Sequence, residues 1–211
     1  MIPYRSPVMT RITVKKMCWW VQEAPVRFFL QVVTLSVSSV RTGTGETVSA
    51  LEYAAAEGLT VPLVYNCGGY ESQTALRLLA GIVDIYMPDV KFTHQKTAQV
   101  LTGALDYPAA VKTSLQEMHR QVGDLQVNES GLAVRGLLIR HLVLPEGLAG
   151  TAELLRFLAV EISKDTYLNL MDQYHPAYKA HRHPPLDRPL HREEYAEAVR
   201  MARQAGLHRF A

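Results

Sequence analysis

From residue 50 onward the chain alternates between segments of helical composition and short β-branched runs, and this alternation narrows the available folds more than any other feature. Residues 50–57 are rich in helix formers and stop at Gly58, after which Val61-Pro62-Leu63-Val64-Tyr65 reads as a short buried strand. Residues 71–80 predict a second helix with Gly81 as its stop, and 82–87 a second strand. Pro108 suits the first turn of a helix over 109–121, and the runs 125–127 and 132–134 flank Asn128-Glu129-Ser130-Gly131 as a hairpin. A strand over 137–144, a helix over 151–162, a strand over 167–171, a helix over 192–205 closed by Gly206 and a last strand at 207–210 complete the pattern. Strands and helices alternating through short connections favour an α/β fold, a parallel sheet covered by helices and either open or curled into part of a barrel. In both architectures ligands collect where the parallel strands end.

Three strand ends carry polar chemistry. Tyr65-Asn66-Cys67-Gly68-Gly69-Tyr70 joins adjacent glycines, which let backbone turn and approach a ligand closely, to an amide at Asn66. Taken alone, such a pair of glycines is more often a plain turn. Tyr86-Met87-Pro88-Asp89-Val90-Lys91 places a carboxylate and an ammonium two residues apart, on one side of an extended chain. The third cluster joins Ile139-Arg140-His141-Leu142-Val143-Leu144-Pro145 to Asn169-Leu170-Met171-Asp172-Gln173-Tyr174-His175-Pro176. Arg140 lies inside an apolar run, where an unpaired guanidinium is expensive to bury, so it is expected to meet an anion. His175 can titrate near neutral pH or donate a hydrogen bond. His175, His181, His183 and His191 lack regular ligand spacing and sit among prolines, so they read as loop residues and not as a metal site.

Composition removes other classes. A net charge of +2 with no concentrated basic face argues against nucleic-acid and membrane partners, and no apolar run is long enough to span a bilayer. Two cysteines, Cys18 and Cys67, cannot build a disulfide framework, which fits the cytoplasm better than secretion. Residues 1–49 form a different text, with no clean period and Glu23 as the single acidic residue before Gly45. That segment reads as an atypical N-terminal extension or first strand, or as a basic transit-type leader. Residues 50–211 form the organised domain.

Five ordered blocks carry a family resemblance: residues 62–70, 81–91, 117–123, 140–145 and 170–176. Together they resemble radical S-adenosylmethionine (SAM) proteins related to pyruvate formate-lyase-activating enzyme, over residues 50–210. The resemblance implies the later part of a (β/α) barrel. It also implies a [4Fe–4S] cluster and SAM as cofactors, and reductive cleavage of SAM to a 5′-deoxyadenosyl radical that abstracts hydrogen from a protein or small-molecule substrate. An external reductant is part of the same expectation. By position, Asn66, Met87 and Asp89, with Gly68 and Gly69 beside them, match the surroundings of a monovalent cation next to SAM. Asn66 stands where the family has an aspartate. Lys91 matches a lysine near the SAM carboxylate, and Arg140 and His175 fall where side chains face SAM or the substrate. No catalytic residue is assigned.

The family's Cys-x3-Cys-x2-Cys loop is absent, and so is room for the barrel strands expected ahead of residues 61–65. A shifted reading supplies a reason. Joining each codon's third base from Leu30 onward to the next codon's first two bases can spell Pro-Gly-Cys-His-Leu-Val-Cys-Val-Phe-Cys-Gln-Asn-Trp, with the three cysteines beginning at Val33, Val37 and Val40. Residues 1–49 are thus expected to be a frame-shifted or mis-joined product. Two other classes of function stand beside the enzyme: an inactive partial barrel, and a small binding module built on Asn66, Asp89 and Lys91.

Overall fold

The computed structural model describes residues 60–210 together with Ala56 and Gly58, and the backbone of two strands at 12–18 and 29–36. The helix expected over 50–57 lies outside the described residues except at Ala56, which is helical. So does most of the segment 1–49, including Val37 and Val40.

Among the described residues seven strands form one sheet: β1 (Ile12–Cys18), β2 (Phe29–Ser36), β3 (Leu63–Cys67), β4 (Ile85–Val90), β5 (Gln126–Val127), β6 (Ala133–Leu142) and β7 (Tyr167–Met171). The order is β1-β2-β3-β4-β6-β5, and β7 joins β6. β2, β3, β4, β6 and β7 run parallel, while β1 and β5 lie antiparallel to β2 and β6. This is the α/β partial barrel that the alternation predicts. Its helices are α1 (Gln73–Leu79), α2 (Gln95–Thr102), α3 (Tyr107–Val122), α4 (Thr151–Phe157, prolonged by a π turn over Leu158–Ile162) and α5 (Arg192–Gln204). Among the described residues no helix is long and apolar enough to cross a membrane.

Several boundaries move for local reasons. β3 starts two residues late because Pro62 has no N–H to give a ladder. The N–H of Leu63 instead donates to the Asp84 carboxylate at 2.8 Å, and that bond occupies residue 84 in the turn before β4. The strand expected to stop at Met87 runs on to Val90, straight through Pro88. The ladder to β6 registers Ile85 with Gly136, Tyr86 with Leu137, Asp89 with Arg140 and Val90 with His141, and it skips Met87 and Pro88. A central proline is tolerated because the sheet leaves a gap where its donor is missing.

Alternation along each strand separates the two faces. Tyr65, Tyr86, Leu137, Ile139, Leu168 and Leu170 pack under the helices against Leu76, Leu115, Met118, Leu154 and Leu155. The opposite face carries Val64, Ile85, Met87 and Tyr167, which close on Leu125 and Ala133 as a second, smaller apolar cluster. Beyond that cluster, toward the carboxyl ends of the strands, the same face turns polar.

Candidate functional site

Asn66 of β3, Asp89 of β4 and Arg140 of β6 share the face that carries Val64, Ile85 and Met87, one step nearer the strand ends. Asp89 and Arg140 are register partners. The guanidinium Nε and Nη2 both lie 2.5 Å from Oδ1 of Asp89, and Nη2 reaches Oδ1 of Asn66 at 3.5 Å. The anion that burial of Arg140 demands is therefore a carboxylate of the protein. Lys91, just past β4, brings Nζ to 3.9 Å from the other Asp89 oxygen. The Arg140 side chain is 12% exposed and that of Lys91 52%, so one cation is fixed in the wall and the other is free to swing toward a ligand. Two cations and one carboxylate leave one positive charge at the mouth of the site.

The strand ends are held by a residue that sequence reasoning passed over. Tyr107, at the start of α3, is 4% exposed. Its hydroxyl accepts from the N–H of Lys91 at 3.0 Å and directs its hydrogen at the carbonyl of Gly68 (2.9 Å), with that of Asp89 at 3.3 Å. Burial pushes the phenol up to about 12, so it stays a donor throughout the working range. The ring of Tyr70 stacks on it with centroids 5.6 Å apart. Gly69 permits this closure. Its φ is +75°, and a β-carbon there would come within 2.8 Å of the Val111 side chain on α3. A β-carbon on Gly68 would meet nothing within 4 Å. The loops beyond β4 and β6 are stitched together by Thr93, whose hydroxyl donates to the Gly150 carbonyl at 2.7 Å.

Other expected residues lie elsewhere. Met87 is 3% exposed and belongs to the apolar cluster below the polar residues, where it lines the floor. His175 is exposed, four residues past the end of β7, and its Nδ1 bonds the carbonyl of Gln173 at 3.2 Å. No strand register fixes it, which is why its position could not be read from spacing. Asn169 belongs to the third strand-end cluster of the sequence, although no role was assigned to it. It is the register partner of Arg140 on β7 and stands between buried Leu168 and Leu170, so it shares the polar face. A single amide between two leucines in a short strand was the available signal.

The neighbouring titratable groups are structural. Cys67 points with Tyr65 toward the helices, and burial together with Glu71 pushes its thiol well above the ordinary range. Burial also raises the Glu71 carboxyl, although hydrogen bonds from Tyr65 and Cys67 oppose this. His141 is fully buried. The Val90 carbonyl can only accept, so Nδ1 carries the proton and Nε2 accepts from Thr151. Burial pulls this imidazole down to about 4 and keeps it neutral. Among the described residues no group of three His, Cys, Asp or Glu side chains could hold a metal ion.

No family model matches the chain. An uncharacterized protein of Methanocaldococcus jannaschii is 30% identical over 148 residues, which are 70% of this chain and 39% of that protein. The chain thus spans less than half the length of this curated relative. Among solved structures, a domain of pyruvate-formate lyase-activating enzyme from Bacteroides vulgatus superposes with a TM-score of 0.59 at 12% identity, covering 85% of this chain and 96% of that one. That likeness establishes the fold, a partial barrel of the kind found in that enzyme.

Proposed function

We propose that the carboxyl end of the parallel sheet binds S-adenosylmethionine by its amino-acid end, in the manner of the radical SAM barrels that the sequence resembles. The observation that carries this reading is the Asp89 carboxylate set between Arg140 and Lys91, with Asn66 alongside, at the ends of three adjacent strands. An α-amino acid is a zwitterion, and this set answers both charges. Asp89 and the Asn66 carbonyl accept from an ammonium, while Lys91 meets a carboxylate and Arg140 holds Asp89 in place. The surplus positive charge favours the carboxylate end. The fold shared with an activating-enzyme domain supports the same reading, because ligands of such barrels gather at this end.

The [4Fe–4S] cluster that the resemblance implies does not fit the residues present. Such a cluster takes three or four thiolates, and the chain has two cysteines, one of them a buried thiol held protonated on the helix side of β3. No step is assigned to the cluster. SAM cleavage and hydrogen abstraction are proposed only for a polypeptide that supplies the triad, and the chain as written is assigned binding.

Titration calorimetry with SAM, methionine and adenosine tests the assignment. SAM and methionine are expected to compete for one site, and Asp89→Asn or Arg140→Met to weaken SAM by at least about tenfold. Absence of SAM binding refutes the binding role. Anaerobic reconstitution with iron and sulfide, followed by spin resonance, is expected to show no SAM-responsive cluster signal. Such a signal would refute the separation of binding from cleavage.

A further inference from the structure

The connection between β7 and α5 is long for an α/β unit and is built with care. It leaves the carboxyl end of β7, the same end of the sheet as Asp89. The Tyr174 hydroxyl donates to the Leu186 carbonyl at 2.7 Å, closing a compact loop, and Leu186 is buried. At the far side Arg188 makes two 2.9 Å bonds to Glu194. The same carboxylate also accepts from the N–H of Glu146, in the turn that follows β6, at 2.7 Å. The loop is therefore anchored at its base on both neighbouring elements.

Its tip does the opposite of what folding favours. Tyr178 sits at φ +51°, the left-handed region that a bulky residue avoids, and it is 86% exposed. The backbone strain returns no burial. Lys179 lies with Nζ 5.0 Å from the Tyr178 ring centroid, and Arg182 follows one short turn later against His181. Neither cation is paired with a carboxylate among the described residues. A strained, outward aromatic ring with Lys179 over it, and with Arg182 three residues further along the same loop, has the composition of a binding hot spot.

We infer that this tip is a docking surface for an acidic polypeptide segment. Two cations that no described carboxylate pairs, within four residues of an exposed tyrosine in a loop that contains Pro176 and Pro184, suit a short carboxylate-bearing peptide. They do not form the continuous basic track that a nucleic-acid backbone requires, and the whole chain carries only +2. The docking does not depend on SAM being bound.

The test uses the full chain without nucleotide. Fluorescence anisotropy follows a labelled octapeptide, Gly-Asp-Glu-Phe-Glu-Asp-Gly-Glu, beside its Asn/Gln counterpart and a labelled octauridylate. The acidic peptide is expected to bind, to weaken as salt is raised, and to bind roughly tenfold more weakly when Lys179→Glu and Arg182→Glu are combined. Tyr178→Gly keeps the left-handed backbone accessible while removing the ring. It is expected to weaken binding with the thermal midpoint unchanged or raised. The inference is overturned by no binding, by equal binding of the neutral peptide, by tighter binding of the oligonucleotide, or by charge-reversal variants that bind as well as wild type. A Tyr178→Gly chain that melts earlier yet binds normally also overturns it, since the tyrosine would then serve the fold alone.

Discussion

Cutting the Asp89–Arg140 pair from either side should give unequal results, and the inequality follows from exposure. The Arg140 side chain is 12% exposed and that of Asp89 28%. Asp89→Asn leaves the more enclosed charge without its carboxylate, in a sheet interior whose floor is apolar. Removing one partner of a buried pair costs about 3–5 kcal/mol, and this pair, being partly exposed, should fall at or just below the bottom of that range, about 2–3 kcal/mol. Arg140→Met leaves a carboxylate that water and Lys91 still reach at 3.9 Å, so its cost should be about 1–2 kcal/mol. The double variant removes both charges and should lie well short of the sum, giving a coupling of about 1–3 kcal/mol. Urea unfolding of the four proteins, followed by circular dichroism at one pH and salt concentration, measures all three terms. Additive losses would refute the claim that these side chains stabilise one another. A costlier Arg140→Met would refute the assignment of Arg140 as the enclosed partner.

Three further outcomes follow from the same geometry. Tyr107→Phe keeps the ring under Tyr70 but strips hydrogen bonds from Gly68 and Lys91, so unfolding should show a loss of about 1–3 kcal/mol, while the affinity of the D89N variant for SAM should respond less than that of wild type. Glu194 is held down to about 2, first by its hydrogen bonds from Arg188, so its stabilisation is complete above the ordinary glutamate range and is lost as pH falls toward 2. The melting difference between wild type and Glu194→Gln, about 1 kcal/mol after solvent screening, should accordingly be full at pH 7 and close between about pH 5 and pH 2 in a calorimetric series. The shifted-frame reading of residues 30–42 requires T as the third base of the codons for Val32, Ser36 and Ser39, because a cysteine codon there must be T followed by the GT of valine. Sequencing the coding DNA decides it, and one different base at any of the three positions rejects it.

Much of this fold could be read from the chain because its strands are bracketed by glycine and its helices by clear stops. Residues 167–171 form β7 as expected, and the hairpin around Asn128 is present, with Asn128 Oδ1 accepting from the N–H groups of Ser130 and Leu132. The last strand shrank to one bridge between Leu168 and Phe210. α2 went unread because Thr97, Val100 and Thr102 are weak helix formers and only Ala98 is buried, although Gly103 in the left-handed region was a readable stop. The site divided along the same line. Asn66, Asp89, Lys91 and Arg140 follow from strand period and adjacency, whereas Tyr107 acts from a helix more than fifteen residues away and His175 depends on a loop path that no period encodes.

The polar residues of the sheet interior are informative because of where they stop. Val64, Ile85, Met87 and Tyr167 make the lower part of this face an ordinary core, and one step along the same strands Asn66, Asp89, Arg140 and Asn169 replace it. Stability alone gives no reason for that change, since apolar residues of similar volume in place of a partly buried ion pair are often neutral or better. Among the described residues this polar layer lies at the carboxyl ends and its members share one face, which is the placement the proposed ligand role requires. β2 runs parallel to β3 with Ser36 beside Asn66, so it delivers the chain to this same end of the sheet. The proposed binding role therefore rests on β3, β4, β6 and β7 and needs none of the missing cysteines.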